Sequence, residues 1–547
     1  MMLHNHRTDA VLAGPGQTFD SGCCFSNDKL SIHTDLRLSS GSRTLRLFVK
    51  KSEKHILMNC NDILDTIREM PGKVMSAAYL ERWNDELQAR IDRDIEAHRK
   101  ADACMSLPGV PAGAEVRVEQ ISHAFVFGAH IFNFDQLGSD DCNARYKELY
   151  GTLFNSATIP FYWKTFEPEE GKPRFAAEYR DSADFWNSVR EPKQQPHWRR
   201  PATDPLVEFC EARGIRLHGH TLAWGNARWH MPDWVFEKIP EQYRQNAKQP
   251  DNHSAAPRLE MFDALTPARI EALLPGFTNE TNTLMARRIL EIALRYKGRL
   301  HSWDVANESA TDFGKGYMIP GDGICKSWYG LMPGDYTCRA FKIADGVFPK
   351  DVKLNINDYN LSDDYLRQVQ DLQARGCKID IMGAQMHLFN PQICLDIADG
   401  KSDAQSPASI RATMDHLAKA NVPIHLSEIT ITSPGNDQRG LLIQAIIARN
   451  LYRLWFSLKP MMGITWWNVV DDCGAPGEPS VSGLFTRDMK PKPSYHVLND
   501  LIHNEWETRT SVRSGADGTV RFRGFRGQYR LTWKDASGVE CSTVAEL

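Results

Sequence analysis

The sequence has little that would place the protein in a membrane or on a nucleic acid. No apolar run is long enough to span a bilayer, and residues 1–18 contain no apolar stretch typical of a signal peptide. The 65 lysine and arginine residues nearly balance 69 aspartate and glutamate residues, and no basic stripe is present. We therefore expect no membrane and no nucleic-acid partner. As written, the sequence predicts a cytoplasmic protein, or a secreted one if the true start lies upstream.

The 12 cysteines show none of the spacings that are typical of a zinc site. Cys23 and Cys24 are adjacent and the others are scattered singly, which predicts reduced, buried thiols and not a disulfide framework. The sequence also lacks a glycine-rich loop for phosphate binding. It therefore predicts no cofactor and no metal, and it leaves the oligomeric state open.

What is present is enough apolar sequence to bury a large core, since 42% of the 547 residues are hydrophobic. Apolar and polar residues alternate over Ser31–Lys50, and apolar residues recur every three or four positions over Tyr79–Ala103. The prolines and glycines of Pro108–Gly113 predict a hairpin, and short alternating runs return after Leu501. We predict a small β-rich or irregular region over residues 1–75, a helix and hairpin over 76–119, a large domain over 120–503, and a short antiparallel β-appendage over 504–547.

The large domain alternates short apolar runs with helical sequence. Eight runs read as strands that are each followed by a helix, which predicts an α/β fold of the (β/α)8 barrel type, with small β-rich appendages at both ends. The predicted strands are Ala124–Ile131, Ser156–Trp163, Arg216–Trp224, Ser302–Glu308, Val352–Asn357, Ile379–His387, Ile424–Ile431 and Ile464–Val469.

Two of these strands carry a carboxylic acid at a position where an active-site residue is expected. Asn307 and Glu308 end the fourth strand, at the end of a barrel strand that faces the active site. Partial burial there would raise the pKa of Glu308, although an acid at a strand end can also simply cap the next helix. Glu428 lies within the apolar seventh strand, where an acid is costly unless it is used or paired. Two such acids facing each other predict hydrolysis of a glycosidic bond.

Several motifs, in the same order along the chain, resemble glycoside hydrolase family 10, the retaining endo-β-1,4-xylanases. The resemblance extends over roughly residues 120 to 503 of the chain. The motifs are Gly219-His220-Thr221-Leu222-Ala223-Trp224, Trp303-Asp304-Val305-Ala306-Asn307-Glu308, Asn357-Asp358-Tyr359-Asn360, Gly383-Ala384-Gln385-Met386-His387, Ser427-Glu428-Ile429, Gly463-Ile464-Thr465-Trp466-Trp467 and Lys492-Pro493-Ser494-Tyr495.

The resemblance implies a role for each matching residue. Glu308 is the expected general acid and then general base, and Glu428 is the expected nucleophile that forms a covalent glycosyl-enzyme. Asn307 is expected to bind the 2-hydroxyl of the sugar being cleaved, and His387 to orient Glu428. The remaining expected substrate contacts are His220, Gln385, Trp224, Trp467 and Tyr359.

The sequence departs from the family where the non-reducing sugar is bound. The family follows its second strand with Glu-Asn-x-Met-Lys-Trp, whereas this chain reads Thr158-Ile159-Pro160-Phe161-Tyr162-Trp163-Lys164. The Glu-Asn pair is missing, and Lys164 is our candidate for the family lysine. Gly225 replaces a family histidine, and the eighth loop lacks its second aromatic residue.

We therefore predict a retaining glycoside hydrolase that cleaves β-1,4-xylosidic bonds in xylan or xylo-oligosaccharides. Its partner would be a polysaccharide or oligosaccharide. Three alternatives stay open from the sequence: hydrolysis of another β-linked glycan at the same site, a non-catalytic barrel that only binds glycans, and a scaffold whose appendages bind partners. The glycan and its decoration, and endo versus exo action, stay open as well.

Overall fold

Eight parallel strands close into a barrel in the computed structural model, which describes residues 60–244, 265–319, 323, 325–327 and 330–547. The barrel strands are β3 Val126–His130, β4 Ser156–Pro160, β5 Arg216–Ala223, β6 Ser302–Asn307, β9 Lys353–Asp358, β10 Ile381–Gln385, β11 Ile424–Ile429 and β12 Met461–Trp466. Around the barrel their order is β3-β4-β5-β6-β9-β10-β11-β12. The predicted α/β barrel is confirmed, and each predicted strand overlaps an observed one.

The barrel strands form where the sequence is apolar because both faces of each strand are covered. Strands β3, β4, β10 and β11 are buried at every position. Helices follow the strands and lie outside them. The described helices are Cys60–Glu69, Ala77–Arg82, Asp85–Arg99, Asp140–Leu153, Trp163–Phe166, Ala183–Ser188, Thr203–Glu211, Asp233–Glu237, Glu241–Arg244, Pro267–Leu273, Phe277–Tyr296, Ala310–Gly314, Tyr336–Val347, Asp363–Ala374, Pro391–Ala398, Pro407–Leu417, Gln438–Ser457 and Pro493–Asp500.

A small β-sandwich stands beside the barrel and is built from both ends of the described chain. One sheet pairs β1 Lys100–Ser106 with β14 Thr519–Phe525. The other contains β2 Glu115–His123, β13 Arg509–Arg513, β15 Gly527–Lys534 and β16 Glu540–Glu546, in the order β13-β2-β15-β16. Cys325–Ser327 (β7) and Gly330–Pro333 (β8) form a separate short hairpin. The sandwich has its own apolar core, which includes Val116, Val118, Phe522, Leu531 and Trp533.

The predicted hairpin at Pro108–Gly113 is wrong. Strand β1 pairs with β14, and β2 pairs with β13 and β15, so β1 and β2 belong to different sheets. The connection between them crosses from one sheet of the sandwich to the other. The predicted antiparallel appendage at 504–547 is present as strands, but two of its neighbours in the sheets come from residues before the barrel.

The predicted helix over Tyr79–Ala103 is divided and ends early. A first helix ends at Arg82, and the side chain of Asn84 then caps a new one by accepting the Leu87 N–H at 2.9 Å. The second helix ends at Arg99, because the following residues pair with β14 as strand β1. Tertiary pairing overrides the helical pattern of the last residues.

Part of the predicted β-rich N-terminal region is helical, since Cys60–Glu69 forms an α-helix and Pro71–Lys73 a 3₁₀ turn. The alternating stretch Ser31–Lys50 lies outside the described residues, and the domain boundaries stay predictions. The eight cysteines whose side chains are described are free thiols, and five of them are buried, although Cys104 is exposed. Within the described ranges, every helix is too short or too polar to cross a membrane.

Candidate active site

A cavity of about 640 Å³ opens at the C-terminal ends of the barrel strands. Its lining includes every site residue predicted from the sequence except Lys164. The predicted residues that line it are His220, Trp224, Asn307, Glu308, Tyr359, Gln385, His387, Glu428 and Trp467. The barrel thus brings together side chains that are more than 200 residues apart, which is the usual position of an active site in this architecture.

Glu308 follows the last residue of β6 and has a backbone φ of 51°, in the left-handed region that non-glycine residues rarely adopt. Its N–H donates to the Asn357 carbonyl at 2.8 Å, which holds this conformation. Strained backbone of this kind concentrates at functional sites. Burial, the charge of Glu428 and the charge of Asp358 raise the pKa of Glu308 well above its ordinary value, against hydrogen bonds from Gln385 and Asn307. A raised pKa is what a carboxylic acid needs in order to serve as a proton donor.

Glu428 lies in β11 and is 5% exposed. Its Oε1 accepts a hydrogen bond from Asn357 Nδ2 at 2.9 Å, and its Oε2 lies 3.2 Å from His387 Nε2. The other ring nitrogen of His387 lies 3.1 Å from the Thr430 hydroxyl. Both carboxylate oxygens are thus held by neighbours, which fixes the direction in which Glu428 faces the cavity.

Three side-chain amides connect the two acids. Asn357 Nδ2 donates to Asn307 Oδ1 at 2.9 Å as well as to Glu428, and Gln385 Nε2 lies 3.3 Å from both Asn307 Oδ1 and Glu308 Oε1. Gly383 on β10 makes room for this arrangement, because a Cβ there would lie 2.5 Å from Asn357 Oδ1. We call Asn307, Glu308, Asn357, Gln385 and Glu428 the catalytic wall.

His220 is oriented from below the cavity by a buried acid. Its Nδ1 lies 2.8 Å from Asp304 Oδ2, and the same oxygen lies 2.9 Å from His218 Nε2. These contacts lower the pKa of Asp304 despite its burial, so this carboxylate stays ionised. Because Nδ1 of His220 is engaged by Asp304, its Nε2 is the ring nitrogen left for a substrate in the cavity.

Aromatic rings form the apolar part of the cavity. Phe132, Tyr162, Trp224 and Trp467 make one buried cluster, with Trp229 and Phe389 packed against it. The ring of Trp467 lies edge-on to those of His220 and His387, with centroids 5.8 and 5.9 Å away. Tyr359 is 47% exposed and also lines the cavity. Such faces suit the C–H surfaces of a sugar ring.

Lys164 does not reach the cavity, contrary to the sequence-based expectation. It belongs to the one-turn helix Trp163–Phe166, and its Nζ lies 2.5 Å from Asp233 Oδ1. Tyr162, which precedes this helix, lines the cavity instead. Successive helical residues point about 100° apart, so a helix starting at Trp163 turns the lysine away from the site.

The sequence analysis missed two consecutive arginines. Arg199 Nη1 lies 2.8 Å from Glu478 Oε2, and its Nη2 lies 2.8 Å from His130 Nε2. Arg200 lies over the Tyr162 ring, with its guanidinium carbon 3.6 Å from the ring centroid. Both arginines come from an irregular segment without periodicity, where the double arginine itself was the available signal. We call Tyr162, Arg199, Arg200 and Glu478 the arginine wall.

Hydrolysis by two carboxylic acids requires no metal, and the site offers none of the usual ligand sets. Among the described residues, no group of three or more histidine, cysteine, aspartate and glutamate side chains is arranged to hold a metal ion. The cavity instead presents one acid whose pKa is raised and a second acid fixed by hydrogen bonds. That pairing of unlike acids is suited to general acid and nucleophilic chemistry at one bond.

Known proteins resemble this chain over most of the barrel. Endo-1,4-beta-xylanase C from Paenibacillus barcinonensis is 27% identical over 468 residues, which are 78% of this chain and 35% of that protein. Endo-1,4-beta-xylanase A from Thermoanaerobacterium saccharolyticum is 25% identical over 305 residues, which are 54% of this chain and 22% of that protein. The chain thus spans about a third or less of the length of these two relatives.

A similar solved structure is xylanase 10B from Thermotoga petrophila in complex with xylobiose. It is 21% identical with a TM-score of 0.48, covering 70% of this chain and 95% of that one. Residues 184–501, more than half of this chain, match the family model described as Glycosyl hydrolase family 10. The chain belongs to glycosyl hydrolase family 10.

Proposed function

We propose that this glycoside hydrolase cleaves β-1,4-xylosidic bonds in xylan or xylo-oligosaccharides and retains the anomeric configuration. The observation that carries the proposal is the contrast between the two acids. Glu308 has a raised pKa, whereas Glu428 is held by Asn357 and His387. The names of the two relatives, both endo-1,4-beta-xylanases, support xylan as the substrate class.

In the first step, Glu308 donates its proton to the glycosidic oxygen while a carboxylate oxygen of Glu428 attacks the anomeric carbon. The bond between that carbon and the leaving oxygen breaks, and a glycosyl-enzyme ester forms on Glu428. Asn307 is suited to stabilise this step. Its Oδ1 is already engaged by Asn357 and Gln385, and one N–H of its amide donates to Glu308, so the second N–H is left to bind the 2-hydroxyl of the sugar.

In the second step, Glu308 has lost its proton and acts as a base. It takes a proton from a water molecule as the water oxygen attacks the anomeric carbon, and the ester bond to Glu428 breaks. Two inversions at one carbon give net retention. His387 and Asn357 hold Glu428 in place for both attack and departure, and Trp224 and Trp467 provide the apolar surface against which the sugar ring rests.

The test is hydrolysis of linear xylotetraose followed by proton NMR. We expect the β-anomer of the new reducing end to appear first and the α-anomer to follow by mutarotation. If the α-anomer appears first, the retaining mechanism is wrong. Absence of cleavage of xylo-oligosaccharides, with cleavage of another soluble β-glycan, would keep the mechanism and change the substrate. Binding of an oligosaccharide without any product over days would instead favour a barrel that only binds glycans.

A further inference from the structure

Arg200 differs from its neighbour Arg199 in forming no ion pair with an acid among the described residues. Arg199 is paired with Glu478, whereas the guanidinium of Arg200 makes one hydrogen bond, from Nη1 to the Arg199 carbonyl at 2.8 Å. Throughout the part of the chain that the structure describes, no carboxylate lies within ion-pair distance of Arg200. Because Arg200 lines the cavity, the remaining donors of its guanidinium are available to a bound molecule.

The position of Arg200 is fixed by aromatic rings. Its guanidinium carbon lies 3.6 Å from the centroid of Tyr162 and 5.2 Å from that of Phe132. Burial lowers the pKa of Arg200 to about 10, so the side chain stays protonated at neutral pH. The rings attract the cation through their faces but do not neutralise it. The arginine wall therefore presents a positive charge that is oriented before any substrate arrives.

This charge lies near the reaction centre. The ring of Tyr162 is edge-on to that of His220, with centroids 5.3 Å apart, and the charges of both Glu308 and Glu428 act to raise the pKa of Tyr162. Cleavage develops positive charge at the anomeric carbon. A nearby guanidinium opposes that development unless a negative group lies between them or beside them. A carboxylate on the substrate, placed beside Arg200, offsets this repulsion.

We propose that Arg200 binds a carboxylate carried by the substrate, so that the preferred substrate is an acidic β-glycan that contains uronic acid. The planar fork of an arginine side chain matches the two oxygens of a carboxylate. The inference rests on the proposed hydrolysis and narrows its substrate class. The carboxylate could stand on a side branch or in the glycan backbone, and both sources present the same chemical group to Arg200.

The experiment compares substrates that differ in one carboxyl group. The pair is a xylotetraose that carries one glucuronic acid branch and the same compound after reduction of its carboxyl to the alcohol. Linear xylotetraose and a β-1,4-linked oligoglucuronic acid complete the set, and the latter tests the backbone source. We expect wild-type kcat/KM to be roughly 10-fold or more higher for an acidic substrate than for its neutral counterpart, as a charge-assisted hydrogen bond would give.

The matched variants are Arg200→Met and Arg200→Lys, with Arg190→Met as control. Methionine keeps an unbranched side chain on the Tyr162 ring without the charge, and lysine keeps the charge without the fork. Arg190 is exposed on the same segment and does not line the cavity. We expect Arg200→Met to lose the acidic preference, so that its kcat/KM on the acidic substrate falls to its value on the neutral counterpart. Arg200→Lys should keep part of the preference, and Arg190→Met all of it.

Equal wild-type rates on the branched substrate and its reduced form, and on the two linear oligomers, would overturn the inference. So would an equal loss on acidic and neutral substrates in Arg200→Met. If thermal denaturation shows that Arg200→Met is not folded, the acidic preference of Arg200→Lys tests the inference instead. If wild type cleaves nothing, calorimetric binding of the same compounds still decides. Tighter binding of an acidic compound than of its neutral counterpart, lost in Arg200→Met, would support the inference although the proposed hydrolysis fails. Equal binding of the acidic and neutral compounds would contradict both proposals.

Discussion

The catalytic wall and the arginine wall of the cavity are held by different kinds of contact. Neutral amides join the acids of the catalytic wall, with Asn357 and Gln385 each contacting Asn307 and one acid. The arginine wall depends on charge, through the pair of Arg199 with Glu478 and the contact of Arg200 with Tyr162. Amide contacts fix geometry and add no charge, whereas the second wall sets the charge that a substrate meets. Under the proposed function, catalysis would fall to the first wall and recognition of the substrate to the second.

The largest expected effect is on the catalytic wall, in the variant Glu428→Ala. Without its nucleophile the enzyme should lose at least roughly 1,000-fold in kcat on xylotetraose, because removing a covalent catalyst abolishes the pathway. The fold should persist, since Asn357 keeps its contact with Asn307. Steady-state kinetics and thermal unfolding are the measurements, with the exposed Glu169→Ala as control. A rate close to that of wild type would remove Glu428 from the role of nucleophile.

Next in size is a stability effect on the arginine wall. Glu478→Gln removes the acid that compensates Arg199, whose side chain is only 2% exposed. Removing the charge of one partner in a buried ion pair should lower the free energy of unfolding by roughly 3 kcal/mol. Urea denaturation measures this, and Glu169→Gln, which breaks an exposed pair with Lys172, should change it by less than about 0.5 kcal/mol. Equal effects of the two variants would show that charge does not hold this wall together.

A smaller effect depends on pH and returns to the catalytic wall. The pKa of Glu308 is higher in the folded chain than in the unfolded chain. At pH values between these two pKa values, the folded chain therefore binds more protons than the unfolded chain. Stability from this group therefore falls as pH rises through that window. Glu308→Gln should be more stable than wild type by roughly 1 kcal/mol or more at pH 7, and equal to it at pH 4. Urea denaturation at both pH values tests this, and an equal difference at both would contradict the assigned cause.

The smallest effect is expected for Lys164→Met. The lysine lies outside both walls and pairs with Asp233, whose side chain is 66% exposed. Exposed pairs contribute little, so kcat/KM on xylotetraose should change by less than about twofold and stability by less than about 1 kcal/mol. A tenfold rise in KM would mean that Lys164 contacts the sugar after all, and the arginine wall would then be only part of the recognition surface.

The two acids of the catalytic wall could be predicted from the sequence because each stands on, or directly after, a strand with clear apolar patterning, whereas Asn357 was not singled out there. A strand fixes which end of the barrel its last residues reach, so Glu308 and Glu428 could be brought together without coordinates. The arginine wall could not, because Arg200 comes from an irregular segment whose path follows no period. Lys164 was misjudged for a related reason, since a helix of four residues is too short to show in the pattern but long enough to rotate the side chain away.

The sandwich exposes a second limit of prediction from sequence. The proline and glycine pattern at Pro108–Gly113 is typical of a hairpin, yet β1 and β2 find their partners about 400 residues later. Local sequence patterns predict turns well but predict the partner of a strand poorly, because strand pairing depends on which distant segments share an apolar core. Here that core joins Val116 and Val118 with Phe522, Leu531 and Trp533.

This pairing has a consequence for how the protein is made. Lys100 pairs with Phe525, and Glu119 pairs with Arg530, so strands β1 and β2 leave the ribosome long before their partners are synthesised. Throughout translation of the entire barrel, two strand edges and the apolar side chains of Val116 and Val118 have no native partner. The sandwich is completed only when residues 509–546 emerge. If translation stops within the last barrel helix, the nascent chain is therefore prone to aggregation. The barrel strands that position Glu308 and Glu428 have already been synthesised at that point.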